Sequence, residues 1–209
     1  MFNRIRKTTA ILLMITFIFM LVPAQADTTD TTKLFGTISG DTYENTFAGI
    51  GCLLKGWHYF TDEEIEQTNQ KSKEIISEEI RELVNENVTV MAAESADKLQ
   101  NVNIQIRNAQ EYVAVYEAYG LGTIAENSID QFRSTLESTG MTDVQLSVST
   151  MNISGEDIPC IGGQYKYSGV TMYFRQLWLL RGDYLVYVTV TTLTSDKTEE
   201  TFSSFYLIP

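Results

Sequence analysis

Residues 158–192, IPCIGGQYKYSGVTMYFRQLWLLRGDYLVYVTVTT, decide the fold. Three runs, Ile158–Tyr167, Thr171–Leu180 and Tyr184–Thr192, are rich in β-branched and aromatic residues. Ser168-Gly169 and Arg181-Gly182-Asp183 separate them, short polar pieces of the kind that join antiparallel neighbours. The second and third runs are apolar on both faces, which predicts a central position in a sheet covered on both sides. Just upstream Val144, Leu146 and Val148 alternate as a further strand, and Gly162-Gly163 predicts a bulge.

Working outward, Val88–Glu94 and Val102–Arg107 predict a hairpin, with Val102, Ile104 and Ile106 at period two. Tyr43–Phe47 and Ile50–Leu54 are short strand-like pieces broken by Gly49 and Gly51. Helices have their own marks. Thr61 and Glu64 form a capping box and Phe60 and Ile65 a hydrophobic staple, so a helix starts at Asp62. Ile76, Ile80 and Leu83 or Val84 continue at helical spacing, as one irregular helix or two. Glu111–Tyr119 reads as helical up to Gly120. Asn127 or Ser128 is expected to cap another helix, lined by Ile129, Phe132 and Leu136 and ended by Gly140. A closing helix near Ser195 would use Phe202 and Phe205. The expected class is α+β: a mostly antiparallel sheet covered by helices on both faces, an α/β/α sandwich.

The N-terminus predicts export. Arg4, Arg6 and Lys7 precede the 13-residue apolar run Ala10–Val22, and Ala24-Gln25-Ala26 is a small-x-small cleavage site. The run falls short of the roughly 20 residues a membrane helix needs. The expected organisation is a signal peptide over 1–26, a flexible leader over 27–40 and one domain over 41–209. The expected location is extracellular, or membrane-tethered if the signal is retained. Cleavage removes three of the 15 basic residues and none of the 27 acids, leaving 12 against 27, a net charge of −15. So acidic a chain repels phosphate backbones and anionic bilayers, which argues against nucleic acid and against membrane binding after cleavage.

Cys52 and Cys160 are the only cysteines, and an exported chain can bridge them or bury them separately. No metal or cofactor motif is present: no paired C-x-x-C, no D-x-D-x-D-G loop and no phosphate-cradling glycine pattern.

Several features together resemble the PsbP/Mog-type fold, especially its small secreted bacterial members of unknown function. They are Tyr43-Glu44-Asn45 with its glycine-interrupted hairpin, Gly56-Trp57 and Thr61-Asp62-Glu63-Glu64. Further along come Asn101-Val102-Asn103-Ile104, Ser138-Thr139-Gly140 and the Gly182-Asp183-Tyr184 hairpin. The resemblance spans most of residues 43–206 and implies the α/β/α sandwich with Trp57 as a core anchor. In the named relatives the fold serves protein–protein binding, in photosystem assembly or to a small GTPase. No binding motif of theirs maps onto this chain, so no functional residue is carried over.

His58 is the sole histidine, which limits any histidine-based triad to that position. It reads as a turn residue. The acids Glu63, Glu64, Glu66, Glu78, Glu79, Glu82 and Glu86 read as a solvated helix face. Arg181-Gly182-Asp183 matches an adhesion tripeptide but also serves as a plain turn, and Asn87 and Asn152 begin glycosylation sequons. Tyr173, Tyr184 and Tyr187 read as fillers of the sheet faces with their hydroxyls at the rim; the alternative is a tyrosine-lined binding surface for a partner protein, a carbohydrate or another cell-surface ligand. No catalytic constellation is present, so the expected function is a secreted, non-catalytic binding or interaction module. The alternative is an extracellular hydrolase using carboxylates assembled by folding, with Glu156, Asp157 and Asp183 as candidates.

Overall fold

The computed structural model describes residues 34–73 and 87–209. The expected signal peptide, residues 27–33 of the leader and the stripe Ile76, Ile80, Leu83 and Val84 lie outside the described residues. In chain order the elements are β1 (Thr37–Ser39), β2 (Thr42–Asn45), β3 (Ile50–Leu53), β4 (His58–Tyr59), α1 (Asp62–Lys73), β5 (Asn87–Glu94) and β6 (Gln100–Asn108). A 3-10 turn at Gln110–Tyr112 leads into α2 (Val113–Tyr119) and α3 (Leu121–Ser138). Then come β7 (Thr142–Ile153), β8 (Glu156–Tyr167), β9 (Val170–Arg181), β10 (Tyr184–Leu193), α4 (Thr198–Phe202) and β11 (Phe205–Leu207).

All strand pairs are antiparallel, and they form two sheets: β1-β2-β3-β11, and β4-β5-β6-β10-β9-β8-β7. As expected, β9 and β10 are interior strands of the large sheet and β5–β6 is a hairpin. The turns match the sequence. Ser168 and Gly169 both have positive φ, the backbone twist that suits a two-residue hairpin loop. The cap of α1 also forms: the Glu64 amide donates to Thr61 Oγ1 (3.3 Å) and the Thr61 amide to Glu64 Oε2 (2.9 Å).

The helix-covered α/β/α sandwich is not what forms; the molecule is mostly β. One face of the large sheet carries Val102, Ile104, Leu177, Leu179, Val186 and Val188. It packs on the small sheet through Tyr43, Ile50, Cys52 and Phe205, so a second sheet occupies the place expected for helices. The other face buries Ile161, Tyr165, Phe174, Trp178 and Tyr187 against Tyr116 of α2 and Ala125, Phe132 and Leu136 of α3. Two local features explain the difference. The closing helix stops at Phe202, and Phe205, spaced as for a helix, instead pairs with Cys52 as a strand. Asn45 and Gly49 then shape the β2–β3 turn as a self-contained hairpin. The Asn45 Nδ2 donates to the Leu34 carbonyl (2.7 Å) and its Oδ1 accepts from the Ala48 amide (2.8 Å). Gly49 has φ +65, and a Cβ there would lie 2.7 Å from Arg181 Nε. That guanidinium donates to the Ala48 carbonyl at 3.2 Å and ties the small sheet to the end of β9.

The expected cap at Asn127 or Ser128 is corrected as well. The helix runs unbroken from Leu121, because Gly120 (φ +75) turns the chain between α2 and α3. Ser128 lies inside it, its hydroxyl donating back to the Ile124 carbonyl at 2.7 Å instead of capping. At the other end of the molecule, β1 and buried Leu34 place the end of the expected leader on the fold.

Candidate functional site

The residues singled out from sequence do not gather at one place. Tyr187 is fully buried on the helical face, edge-on to Trp178 with ring centroids 5.6 Å apart. Tyr184 lies on the opposite face, edge-on to Phe47 at 4.9 Å. Tyr173 shares that face, but it pairs with Thr192 whereas Tyr184 pairs with Arg181, at the other end of the β9–β10 ladder. Cys52 and Cys160 are free thiols buried in the core between the sheets. Burial pushes Cys52 up to about 12 and Cys160 up to about 11, so neither is a nucleophile at neutral pH. His58 is exposed and meets Glu64 at 3.1 Å. Glu156 is exposed at the start of β8 and Asp183 in the β9–β10 turn, and Asp157 accepts from Asn152 Nδ2 at 2.9 Å. Arg181 is occupied by Ala48, a structural use of the tripeptide. Among the described residues no group of three or more His, Cys, Asp or Glu is placed to hold a metal.

Two features remain. The first is the outer edge of the large sheet. β7 ends the strand order, and from Val144 to Ile153 it carries no charge and no proline. Natural edge strands are usually blunted by lysine, proline or a bulge. Here the bulge comes only at the start, where Asp143 has φ +53 and the register shifts between Thr142 and Gln145. Gly163 permits this: a Cβ there would lie 1.9 Å from the Gln145 carbonyl oxygen. The bulge is thus on β7 beside the glycine pair. Beside the edge lies an open groove of about 420 Å³, lined by Gln145, Ser147, Gly162, Gln164, Tyr173 and Arg175. Arg175 is held at its end, donating to Thr198 Oγ1 (2.9 Å) and pairing with Glu199 (2.7 Å).

The second feature was not anticipated. On the helix-facing side of the central strands the register sets polar residues in rows: Thr89–Gln105–Tyr187, Ala92–Asn103–Thr189–Gln176 and Glu94–Asn101–Thr191. Asn101, Asn103, Gln105, Gln176 and Thr191 are 0% exposed. Some bonds form: Trp178 Nε1 donates to Gln176 Oε1 (2.9 Å), Gln176 Nε2 to Thr189 Oγ1 (3.0 Å), and Asn101 Nδ2 to the Ala93 carbonyl (3.0 Å). Among the described residues, both amide atoms of Asn87 and Asn103, Asn101 Oδ1, Gln105 Oε1, Thr191 Oγ1 and the hydroxyls of Tyr165 and Tyr187 have no hydrogen-bond partner. Leaving a buried polar group unpaired costs about 1–3 kcal/mol. In the sequence, Asn101, Asn103, Gln105 and Arg107 alternate with Val102, Ile104 and Ile106, which reads as a strand with one wet face. Only the covering of both faces makes those amides interior. Asn87, the first residue of a sequon, belongs to this buried set, which removes it as a glycosylation acceptor in the folded chain.

No family model and no curated protein matches this chain. Among solved structures, a Bacteroides thetaiotaomicron protein aligns at 14% identity and a TM-score of 0.41, covering 82% of this chain and 50% of that one. PA94 of Pseudomonas aeruginosa, a protein of unknown function, aligns at 17% and 0.29 over 46% of this chain and 62% of its own. LpqN of Mycobacterium tuberculosis, involved in cell envelope biogenesis, aligns at 13% and 0.36, covering 77% and 83%. The chain spans half the length of the Bacteroides protein. These neighbours are bacterial, none is named as a PsbP/Mog-type protein, and likeness at this level carries no functional argument. Among the described residues no helix is long and apolar enough to cross a membrane.

Proposed function

We propose that the mature chain is an exported, non-catalytic interaction module that receives an extended segment of a partner protein along β7. The observation that carries this reading is the ten-residue uncharged stretch Val144–Ile153 at the sheet's open edge. Strand addition uses main-chain groups for affinity and alternate side chains for specificity. The groove offers the polar side chains of Gln145, Ser147, Gln164 and Tyr173, with Arg175 and Asp196 also lining it, to alternate side chains of an incoming strand. A second copy is the weaker occupant, because two chains each carrying a net charge of −15 repel on approach. Export rests on residues 1–26 and predicts a mature N-terminus at Asp27, which N-terminal sequencing of the exported protein checks. The carboxylate hydrolase has less support, since Glu156 and Asp157 are exposed at the start of β8 and Asp183 is exposed in the β9–β10 turn.

The test is paired capture from the extracellular and envelope fractions of the source cell, using the wild-type chain and a Ser147→Lys/Ser149→Lys variant. Both serines are exposed, so the variant keeps its fold. A partner held by the wild type and lost by the variant, with hydrogen-exchange protection along β7 in the complex, supports the reading. Equal capture by both chains, or protection elsewhere, sinks it.

A further inference from the structure

We infer that the open groove between the β3–β4 turn and the α4–β11 segment binds an uncharged carbohydrate chain, with Tyr206 as the platform on which a sugar ring stacks. The inference is independent of the β7 edge, because it concerns the small sheet and a different set of residues.

The groove has a volume of about 650 Å³, inside the range of about 300–1,000 Å³ usual for sites that hold small ligands. Leu53, Lys55 and Trp57 lie along one wall and Glu200, Ser203 and Tyr206 along the other. Tyr43, Cys52 and Phe205 point into the core between the sheets, so the alternating residues Glu44, Gly51 and Tyr206, which pair in one row, lie on the outer face. Gly51 has no side chain there, and the Tyr206 ring takes the space: a Cβ on Gly51 would lie 2.5 Å from Tyr206 Cζ and 2.6 Å from its Cε2. The Tyr206 hydroxyl donates to Glu44 Oε1 at 2.9 Å. The ring is thus laid across the sheet, held at its far end and left half-exposed. Leu53, exposed on the same face, follows roughly 7 Å further along β3. A flat aromatic ring fixed in advance, with an apolar neighbour, suits the C–H face of a sugar and loses little side-chain freedom on binding.

The polar groups around the groove select the rest of the ligand. Lys55 and the Trp57 indole N–H are donors, Glu200 is an acceptor, and Ser203 can act as either. The Gln100 amide is fixed at the groove by the Thr201 hydroxyl, which donates to its Oε1 at 2.8 Å. Such a mixture matches hydroxyl groups, which donate and accept at one atom. Lys55 and Glu200 offset each other in charge, and Glu44 beside the ring repels a phosphate or carboxylate, so the groove favours an uncharged ligand. An extended peptide is the poorer occupant. The backbone of the walls is already paired, with the Leu53 amide donating to the Ser204 carbonyl (3.0 Å), Leu54 to Asp41 (2.9 Å) and Ser204 to Thr201 (3.1 Å). Strand addition needs main-chain groups that are free.

The experiment titrates the exported chain with cellohexaose, maltohexaose and chitohexaose by isothermal calorimetry. Tyr206→Ala removes the platform, and Lys55→Ala removes an exposed donor without touching the core. The expected result is saturable binding of at least one oligosaccharide by the wild type, at least tenfold weaker in Tyr206→Ala and at least threefold weaker in Lys55→Ala, with the Ser147→Lys/Ser149→Lys chain binding as the wild type does. In Trp178→Phe, where Trp57 is the sole tryptophan, emission should change and saturate over the same concentrations. No saturable binding of any of the three, or binding untouched by both Tyr206→Ala and Lys55→Ala, overturns the inference. A protein captured by the wild type and lost by Lys55→Ala, with no oligosaccharide bound, makes the groove a protein contact and overturns it equally.

Discussion

At the scale of single residues, Glu64 links local structure to pH. The Thr61 amide, first among the causes, holds the Glu64 carboxyl below its ordinary value of 4.5, with smaller help from His58. A carboxylate whose folded value is depressed contributes stability above the unfolded value and loses it as the pH falls through the folded one. Wild-type stability is therefore expected to fall more steeply than that of Glu64→Gln as pH drops below about 4.5, and to differ from it by a constant amount above about 6. Melts across that range decide the matter; parallel curves would mean that the carboxylate contributes nothing. Thr61→Ala removes the reciprocal bond to the Glu64 amide and is expected to cost about 0.5–2 kcal/mol in denaturant melts. The thiols give a second readout. Cys52 and Cys160 are buried with raised pKa, so a disulfide-exchange reagent at neutral pH should modify neither in the folded chain and both in denaturant. Rapid native labelling of Cys52 would show that the small sheet opens on its own.

At the scale of elements, α3 and β7 depend on each other. Phe132 and Leu136 of α3 are buried, and the Phe132 ring meets Phe174 edge-on at 5.5 Å. Val144, Leu146 and Val148 of β7 lie half-buried against the same cluster, while Gln145, Ser147 and Ser149 point to solvent. Phe132→Ala is therefore expected to cost about 3–5 kcal/mol. Ser147→Lys should stay within about 0.5 kcal/mol of wild type. A large loss from the lysine would mean that the outer face of β7 is covered in the native protein. The start of α3 shows how far local signals reach. Ser128 has the right chemistry for a cap, but the apolar stripe already begins at Leu121 and Ile124, and a serine inside a continuing helix turns its hydroxyl back to a carbonyl. The capping box at Thr61 was legible because all its partners lie within four residues.

At the scale of the whole molecule, two cores share one sheet. Trp57 packs against the core between the sheets and Trp178 lies in the core beneath the helices, and they are the only two tryptophans. If residues 34–209 form one cooperative domain, Trp57→Phe and Trp178→Phe, each leaving one emitter, should report coincident denaturation midpoints by fluorescence. Separated midpoints would divide the chain into two units. The sequence alone determined the antiparallel ladder from Val144 to Thr192, the β5–β6 hairpin and the helix start at Asp62. Each of these depends on periodicity or on contacts between near neighbours. Only the tertiary structure decided what covers each face of the large sheet. Pairing Phe205 with Cys52 joins segments at opposite ends of the domain, and no local pattern records such a choice. The same layering decided the candidate sites. It separated Tyr173, Tyr184 and Tyr187, left β7 at an edge, and made the polar face of Asn101, Asn103 and Gln105 an interior. A side chain's period along a strand says which residues share a face, but whether that face meets water depends on the layer that lands on it.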